Sequence, residues 1–296
     1  MGKTILFGPS GFLGPSILKK FPRIIAVGRT KPPLYCKNKF IKIKNLNNLR
    51  ILDKVQIDHV IFLVGNSNHY KLNKQNIDVA LSYNFYPLKE TLDYFSKRKI
   101  KKFISFSGAL VYDEKNLKLP CNETAPLNPF KNNYIFSKYL TEQLTKAYSN
   151  MIPIINVRLS NIYGPSHLER EDLIISLFNQ ALKKNIIKVN SMEPKRDFIH
   201  LDDIANAIIL LCKSNYTGNI NIGSGKCTSV KKVCKIIEQV TSKKVQNLNK
   251  QVSGPLKYYH DISLIKKITG WKPKIGLEKG LETSWKKTKY LISHKF

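Results

Sequence analysis

Acidic side chains are scarce: 20 Asp and Glu stand against 50 Lys and Arg in 296 residues, a formal net charge of +30. Arginine is scarce too, since 43 of the 50 basic residues are lysine and 7 are arginine. The lysines are spread along the whole chain, with no long basic cluster and no arginine-rich stripe interleaved with aromatics. That argues against a dedicated nucleic-acid surface and for a solvated lysine surface that gathers anions loosely. The five cysteines (Cys36, Cys121, Cys212, Cys227, Cys234) are odd in number, scattered, and form no CxxC pair. They exclude a disulfide frame and a zinc ribbon, predict reduced thiols in a cytoplasmic setting, and imply no metal. No apolar run approaches a membrane span and no charged-then-apolar signal opens the chain, so no membrane association is expected. Leu6 also breaks the myristoylation pattern that Met1-Gly2 begins. No internal repeat, low-complexity tract or flexible linker is present, and the length suits one large α/β domain or two unequal ones.

What is present begins with Lys3–Phe7, a short apolar run ending at Gly8, as a buried parallel strand does. Gly8, Gly11 and Gly14 then open a helix through Ile17, Leu18 and Phe21. Glycines after a strand and before a helix allow a tight turn and a close approach of backbone to a pyrophosphate. Arg23–Val27 is a second strand, and it ends in Gly28-Arg29 where an NAD-preferring fold usually has Asp or Glu. Loss of the carboxylate and gain of a guanidinium favour NADP over NAD. Further strands are expected at Lys39–Ile43, Asp58–Val64, Lys102–Phe106 and Ile152–Leu159, with a helix from about Ile77 to Phe95 carrying Asn84. Alternation of this kind predicts a parallel, doubly wound sheet whose ligands bind at the carboxyl ends of the strands. Gly8, Arg29, Gly65 and Ser107 all fall at such ends. A proline-rich loop, Cys121 to Asn133, leads into a helix bearing Tyr134 and Lys138. Beyond the strand at 152–159 the pattern loosens. Helices are expected at Leu173–Lys183, in the apolar stretch ending near Cys212, at Val230–Thr241 and Ser263–Thr269, and from Leu277 to about Leu291. Short strands are expected at Ile186–Val189 and Asn219–Ile222.

Tyr134 and Lys138 are four residues apart and share one helix face. An ammonium near a phenol favours the phenolate and lowers a pKa that is ordinarily about 10. Such a tyrosine can take the proton of an alcohol as hydride leaves its carbon.

Taken in order, GPSGFLG, YIFSK, VRLSNIYGP, RDFIHLDDIANAI, NIGSG and GWKPKIGLEKGL make the chain resemble the extended short-chain dehydrogenase/reductase family, the NAD(P)-dependent nucleotide-sugar epimerases, dehydratases and reductases. The resemblance implies an α/β Rossmann domain over residues 1–165, to which segments near 197–223 return, and a smaller α/β lobe, mainly 166–296, for a nucleotide diphosphate sugar. It implies Tyr134 as acid/base, with Lys138 binding the nicotinamide ribose. Gly8, Gly11, Phe12, Leu13, Gly14, Gly28, Arg29 and Asn84 would surround the cofactor, NADP or NAD. Asn161 would reach the substrate phosphate or the nicotinamide side, Arg196 would pair with the substrate's diphosphate, His167 and His200 would be structural, and a homodimer would form through helices that include the one with Tyr134.

Three departures bear on activity. The family's Ser or Thr four residues before the tyrosine of Val111-Tyr112 is Gly108 here, which leaves Ser107 as the candidate hydroxyl. A diphosphate-binding arginine expected ahead of Asp261 falls on Gln251, and Lys250 beside it would substitute as a point charge. Ala109-Leu110 stand where the dehydratase branch has Asp-Glu, which argues against 4,6-dehydration. Epimerase and NADPH-dependent 4-keto-sugar reductase both remain open. So does a non-catalytic relative that uses the fold to bind RNA or a protein.

Overall fold

The computed structural model describes residues 2–166, 168–252 and 254–293; His167 lies outside them. In chain order its first half runs β1 (Lys3–Phe7), α1 (Gly14–Lys20), β2 (Ile25–Gly28), β3 (Phe40–Lys42), β4 (Ile57–Phe62), α2 (His69–Leu72), α3 (Ile77–Asn84) and α4 (Tyr86–Ser96). There follow β5 (Lys102–Gly108), α5 (Asn133–Ala147), β6 (Ile154–Leu159), β7 (Asn161–Tyr163), α6 (Leu173–Lys183), β8 (Ile186–Val189), β9 (Lys195–Arg196) and β10 (Phe198–His200). The rest is α7 (Leu201–Lys213), β11 (Gly218–Ile222), β12 (Thr228–Ser229), α8 (Val230–Thr241), β13 (Lys244–Asn247), α9 (Ser263–Thr269) and α10 (Leu277–Ser293).

Two compact units result. The first comprises Met1–Tyr112, Leu127–Leu159 and Ala205–Ile220. Its seven strands lie in the order β11-β6-β5-β4-β1-β2-β3, and every pairing from β6 to β3 is parallel. This is the doubly wound sheet that strand–helix alternation predicts. The order reverses at β1, whose neighbours β2 and β4 lead to opposite edges, and such a reversal opens a crevice at the carboxyl ends of the strands. One face of the sheet packs on α4 through Phe7, Phe62, Phe95 and Phe103, with ring centroids 5.9–6.3 Å apart. Burial of several aromatic rings at these separations is a large share of the unit's apolar driving force.

The single helix expected from Ile77 to Phe95 is two helices, α3 and α4, meeting at Phe85. Pro87 is the cause: it has no N–H for the carbonyl four residues back, so the helix restarts there. Asn76 caps α3 by accepting from the Val79 N–H at 3.2 Å, and Asn132 caps α5 by accepting from Ile135 at 2.9 Å.

The second unit comprises Asp113–Pro126, Ser160–Ile204 and Asn221–Phe296. Its core joins α6, α8 and α10 through Phe178, Val233, Ile237, Leu281 and Trp285, beside the parallel pair β8–β13. Asp197, fully buried, is its polar hub. Its carboxylate accepts from the Ser160 and Ser224 hydroxyls and from the backbone N–H groups of Ser224, Gly225 and His260, at 2.7–3.2 Å. His200 is held at both ring nitrogens: the Asp202 N–H donates to Nδ1 at 3.1 Å, and Nε2 lies 3.3 Å from the Ser284 hydroxyl. The ring thus ties the first turn of α7 to α10. Among the described residues no helix is long and apolar enough to cross a membrane.

Candidate active site

The glycine turn after β1 is packed too tightly for side chains. A Cβ on Gly14 would stand 2.6 Å from the Pro9 carbonyl oxygen, and one on Gly28 would stand 2.8 Å from Pro9 Cδ. Gly8 adopts φ +79°, and a Cβ there would press on the backbone of Leu63 and Val64 just after β4 at 3.1–3.2 Å. Pro9 is thus wedged between the ends of β1 and β2. Gly11 differs: it is exposed, and a Cβ there would meet only the Gly8 carbonyl at 3.5 Å, an ordinary contact. The turn therefore has an open lip where backbone can meet a ligand. Phe12 and Leu13 are buried within it. Arg29 follows β2, exposed and without a side-chain partner among the described residues, and Gly28 pairs in register with exposed Lys42 of β3.

Two strands away, β5 ends beside α5. Lys138 Nζ donates to the Phe106 carbonyl at 3.3 Å and lies 3.7 Å from where a Cβ on Gly65 would be. The next residue, Ser107, is 8 % exposed, and its hydroxyl has no hydrogen-bond partner among the described residues. Burial pulls the Lys138 pKa down to about 8, with the Glu142 carboxylate pulling the other way. Tyr134 is buried and packs with Leu72, Val111 and Ile135. Asn84 ties the site together: its Oδ1 accepts from the Asn66 N–H at 2.9 Å and its Nδ2 donates to the Ser137 hydroxyl at 3.0 Å. It joins the loop after β4 to the helix that carries Tyr134 and Lys138.

The sheet-facing side of α5 is small and polar, and it satisfies itself. Ser137, Thr141 and Thr145 donate to the carbonyls of Tyr134, Lys138 and Glu142, three residues back, at 2.7–2.8 Å. Arg158 of β6 reaches across to Glu142 and to the Tyr112 hydroxyl. Sequence reasoning passes over both partners, because a Glu and an Arg sixteen residues apart carry no local sign that they meet.

In the first unit, then, the carboxyl edge of one parallel sheet carries the glycine turn, Gly28-Arg29, Gly65, Ser107 and Lys138. Asn161, Arg196 and Lys250 belong to the second unit. Asn161 is exposed, and its Nδ2 donates to the Asp197 carbonyl at 3.1 Å. Arg196 Nη1 donates to the Lys195 carbonyl, and a Cβ on Gly254 would lie 3.9 Å from its Nη2 and 3.7 Å from the Glu114 carboxylate. Lys250 is exposed, and its backbone N–H donates to the Asn190 carbonyl at 2.8 Å.

Known proteins share the family and the fold of this chain. A protein of Methanocaldococcus jannaschii, provisionally named a UDP-glucose 4-epimerase, is 33% identical over 211 residues, 66% of each chain. A rice protein (Oryza sativa subsp. japonica) provisionally named GDP-L-fucose synthase 1 is 30% identical over 206 residues, 63% of this chain and 62% of its own. The chain thus spans somewhat less than two thirds of the length of these curated relatives. In fold it is similar to the UDP-glucuronic acid 4-epimerase of Bacillus cereus solved with UDP-glucuronic acid and NAD, with a TM-score of 0.81, 24% identity, and coverage of 98% of this chain and 99% of that one. The model of the NAD dependent epimerase/dehydratase family matches residues 5–223. The chain belongs to the NAD-dependent epimerase/dehydratase family.

Proposed function

We propose that this protein is a nucleotide-sugar epimerase or reductase that acts on a sugar hydroxyl or ketone by hydride transfer, with Tyr134 as the acid/base. One observation carries the reading. A single peptide unit at the end of β5 gives its carbonyl to the Lys138 ammonium and, at the next residue, presents the buried hydroxyl of Ser107, which has no partner among the described residues. An unsatisfied buried hydroxyl costs about 1–3 kcal/mol. A substrate oxygen would satisfy it, and the hydroxyl would then stabilise charge growing on that oxygen.

When bound, NAD or NADP supplies the hydride acceptor and donor. Gly8, Gly11, Phe12, Leu13 and Gly14 would hold its pyrophosphate, Gly28 and Arg29 its adenosine ribose, and Asn84 and Lys138 its nicotinamide end. With a pKa of about 8, Lys138 is mostly charged at neutral pH, and on this reading its ammonium, one helical turn from Tyr134, is the charge that would assist proton removal there. Tyr134 takes the proton of the sugar hydroxyl on oxidation and returns it on reduction. Asn161, Arg196 and Lys250 are assigned to the nucleotide diphosphate, a role that suits their charge and donor chemistry.

The reductase reading draws on a separate feature. Exposed Arg29, next to the Gly28–Lys42 pair and with no carboxylate partner among the described residues, offers a 2′-phosphate two cations, and a 4-keto-sugar reduction consumes one NADPH in each turnover. Purified protein offered each cofactor with nucleotide sugars separates the two. Stoichiometric NADPH oxidation with a 4-keto nucleotide sugar establishes the reductase, and net isomerisation without cofactor consumption establishes the epimerase. Tyr134→Phe abolishes either turnover while cofactor binding stays close to wild type; an active variant removes the assigned role. A protein that turned over neither substrate, yet held RNA through rising salt, would be the non-catalytic relative.

A further inference from the structure

Glu142 and Arg158 form a buried pair beyond Lys138, and the chemistry just described uses neither. Glu142 stands one helical turn beyond Lys138 on the same face of α5. Arg158 grips it with two prongs, Nε to Oε1 at 3.0 Å and Nη2 to Oε2 at 2.6 Å, and the two side chains are 2% and 3% exposed. Its remaining arm, Nη1, donates to the Tyr112 hydroxyl at 3.1 Å. In the β5–β6 ladder Arg158 is the register partner of Ser107, so guanidinium and hydroxyl stem from one rung of the sheet.

A buried carboxylate four residues from a lysine is a natural partner for its ammonium. Lys138 and Glu142 nevertheless form no ion pair among the described residues, and Nζ goes to the Phe106 carbonyl. Both Glu142 oxygens are occupied by the guanidinium fork, a geometry that lysine or water would not reproduce. We infer that Arg158 is a positioning residue for Lys138: by fastening Glu142 to β6 it leaves the ammonium at the carboxyl edge of β5 instead of folded back along its own helix. The inference rests on the role given to Lys138 above. Titratable and charged groups on the elements packed against α5 are Tyr70 and Lys71 of α2, Asp78 and Tyr83 of α3, Tyr86, Lys89, Glu90, Asp93 and Tyr94 of α4, Lys102 of β5, Tyr112 after β5, Lys131 before α5 and Arg158 of β6, together with Tyr134, Tyr139, Glu142 and Lys146 of α5 itself. Asp93 is engaged by Lys89 and Tyr148, and Lys131 Nζ by the Tyr112 carbonyl at 2.8 Å. Glu142 is the charge that acts on Lys138.

The test is the pH dependence of Lys138 acetylation, read by peptide mass spectrometry on the full chain, for wild type, Arg158→Met and Arg158→Lys, with thermal melts alongside. In Arg158→Met the released carboxylate pairs with Lys138, and the labelling midpoint rises by roughly one pH unit from the wild-type value near 8. Arg158→Lys keeps the charge but not the fork, and moves the midpoint the same way by less. Lowered melting temperatures with an unmoved midpoint in both variants would overturn the inference, because a purely structural pair has no hold on Lys138. Should Arg158→Met not fold, the midpoint of Arg158→Lys decides alone. Labelling needs no turnover, so it also separates the two readings: a fully active Lys138→Met would remove the catalytic assignment and leave the labelling result standing.

Discussion

Replacing Lys138 by methionine is expected to stabilise the fold while removing activity, and the size of the effect follows from the environment of the ammonium. Its pKa falls from 10.5 to about 8, with burial as the larger cause and Glu142 in opposition. That depression corresponds to roughly 3 kcal/mol against the charged form at neutral pH. Partial solvent screening reduces this figure, and loss of the hydrogen bond to the Phe106 carbonyl gives back about 1 kcal/mol. A net gain of about 1–2 kcal/mol at pH 7 remains for Lys138→Met, readable in urea titrations as a higher midpoint at unchanged slope. The pH dependence fixes the sign. Between pH 8 and 10.5 the unfolded wild type holds a proton on Lys138 that the folded protein has released, so wild-type stability rises across that window relative to the variant. The advantage of Lys138→Met is present below pH 8 and closes as the pH approaches 10.5. A variant less stable than wild type at pH 7, or a gap that stays constant from pH 7 to 10, would refute the reasoning.

Three other outcomes are expected. Ser107→Ala removes a buried hydroxyl that has no protein partner among the described residues, so it should raise the melting temperature slightly while lowering kcat by roughly 10- to 1,000-fold, and equal activity would dissociate Ser107 from the chemistry. Gly14→Ala places a methyl 2.6 Å from the Pro9 carbonyl; the turn must open, and cofactor affinity measured by calorimetry should fall at least tenfold. Arg29→Ala should weaken NADP binding about tenfold and leave NAD binding near wild type, whereas equal loss for both cofactors would show that Arg29 does not read a 2′-phosphate.

Much of this molecule is legible in its sequence, and the legible parts share a cause. The run Lys3–Phe7, the glycines after it, the Tyr134–Lys138 spacing and the helices Leu173–Lys183, Val230–Thr241 and Ser263–Thr269 are short-range patterns, set by side-chain period, caps and turn residues. The break at Phe85 was available from Pro87 and needed only that the proline be weighed against the apolar period around it. Other features have no local sign. Lys244–Asn247 is a largely polar segment that becomes a strand because Ile186–Val189 lies beside it in parallel register. Asp197 looks like one of several acids in a polar stretch until five donors from three segments converge on it.

Sequence alone determined which chemistry is on offer: a phenol and an amine one helical turn apart, a glycine turn after a buried strand, and a strand ending in glycine and arginine. Tertiary structure decided what each group faces. The order of the sheet reverses at β1 and brings the ends of β1, β4 and β5 to one edge, and α5 lies across β5 and β6 closely enough for Arg158 to reach Glu142. Contacts between residues far apart in the chain depend on how strands choose their neighbours, a choice made by the packing of the whole unit. An isolated stretch of sequence therefore cannot say that the lysine is desolvated, that the serine hydroxyl finds no partner among the described residues, or that a carboxylate nearby is held by a guanidinium.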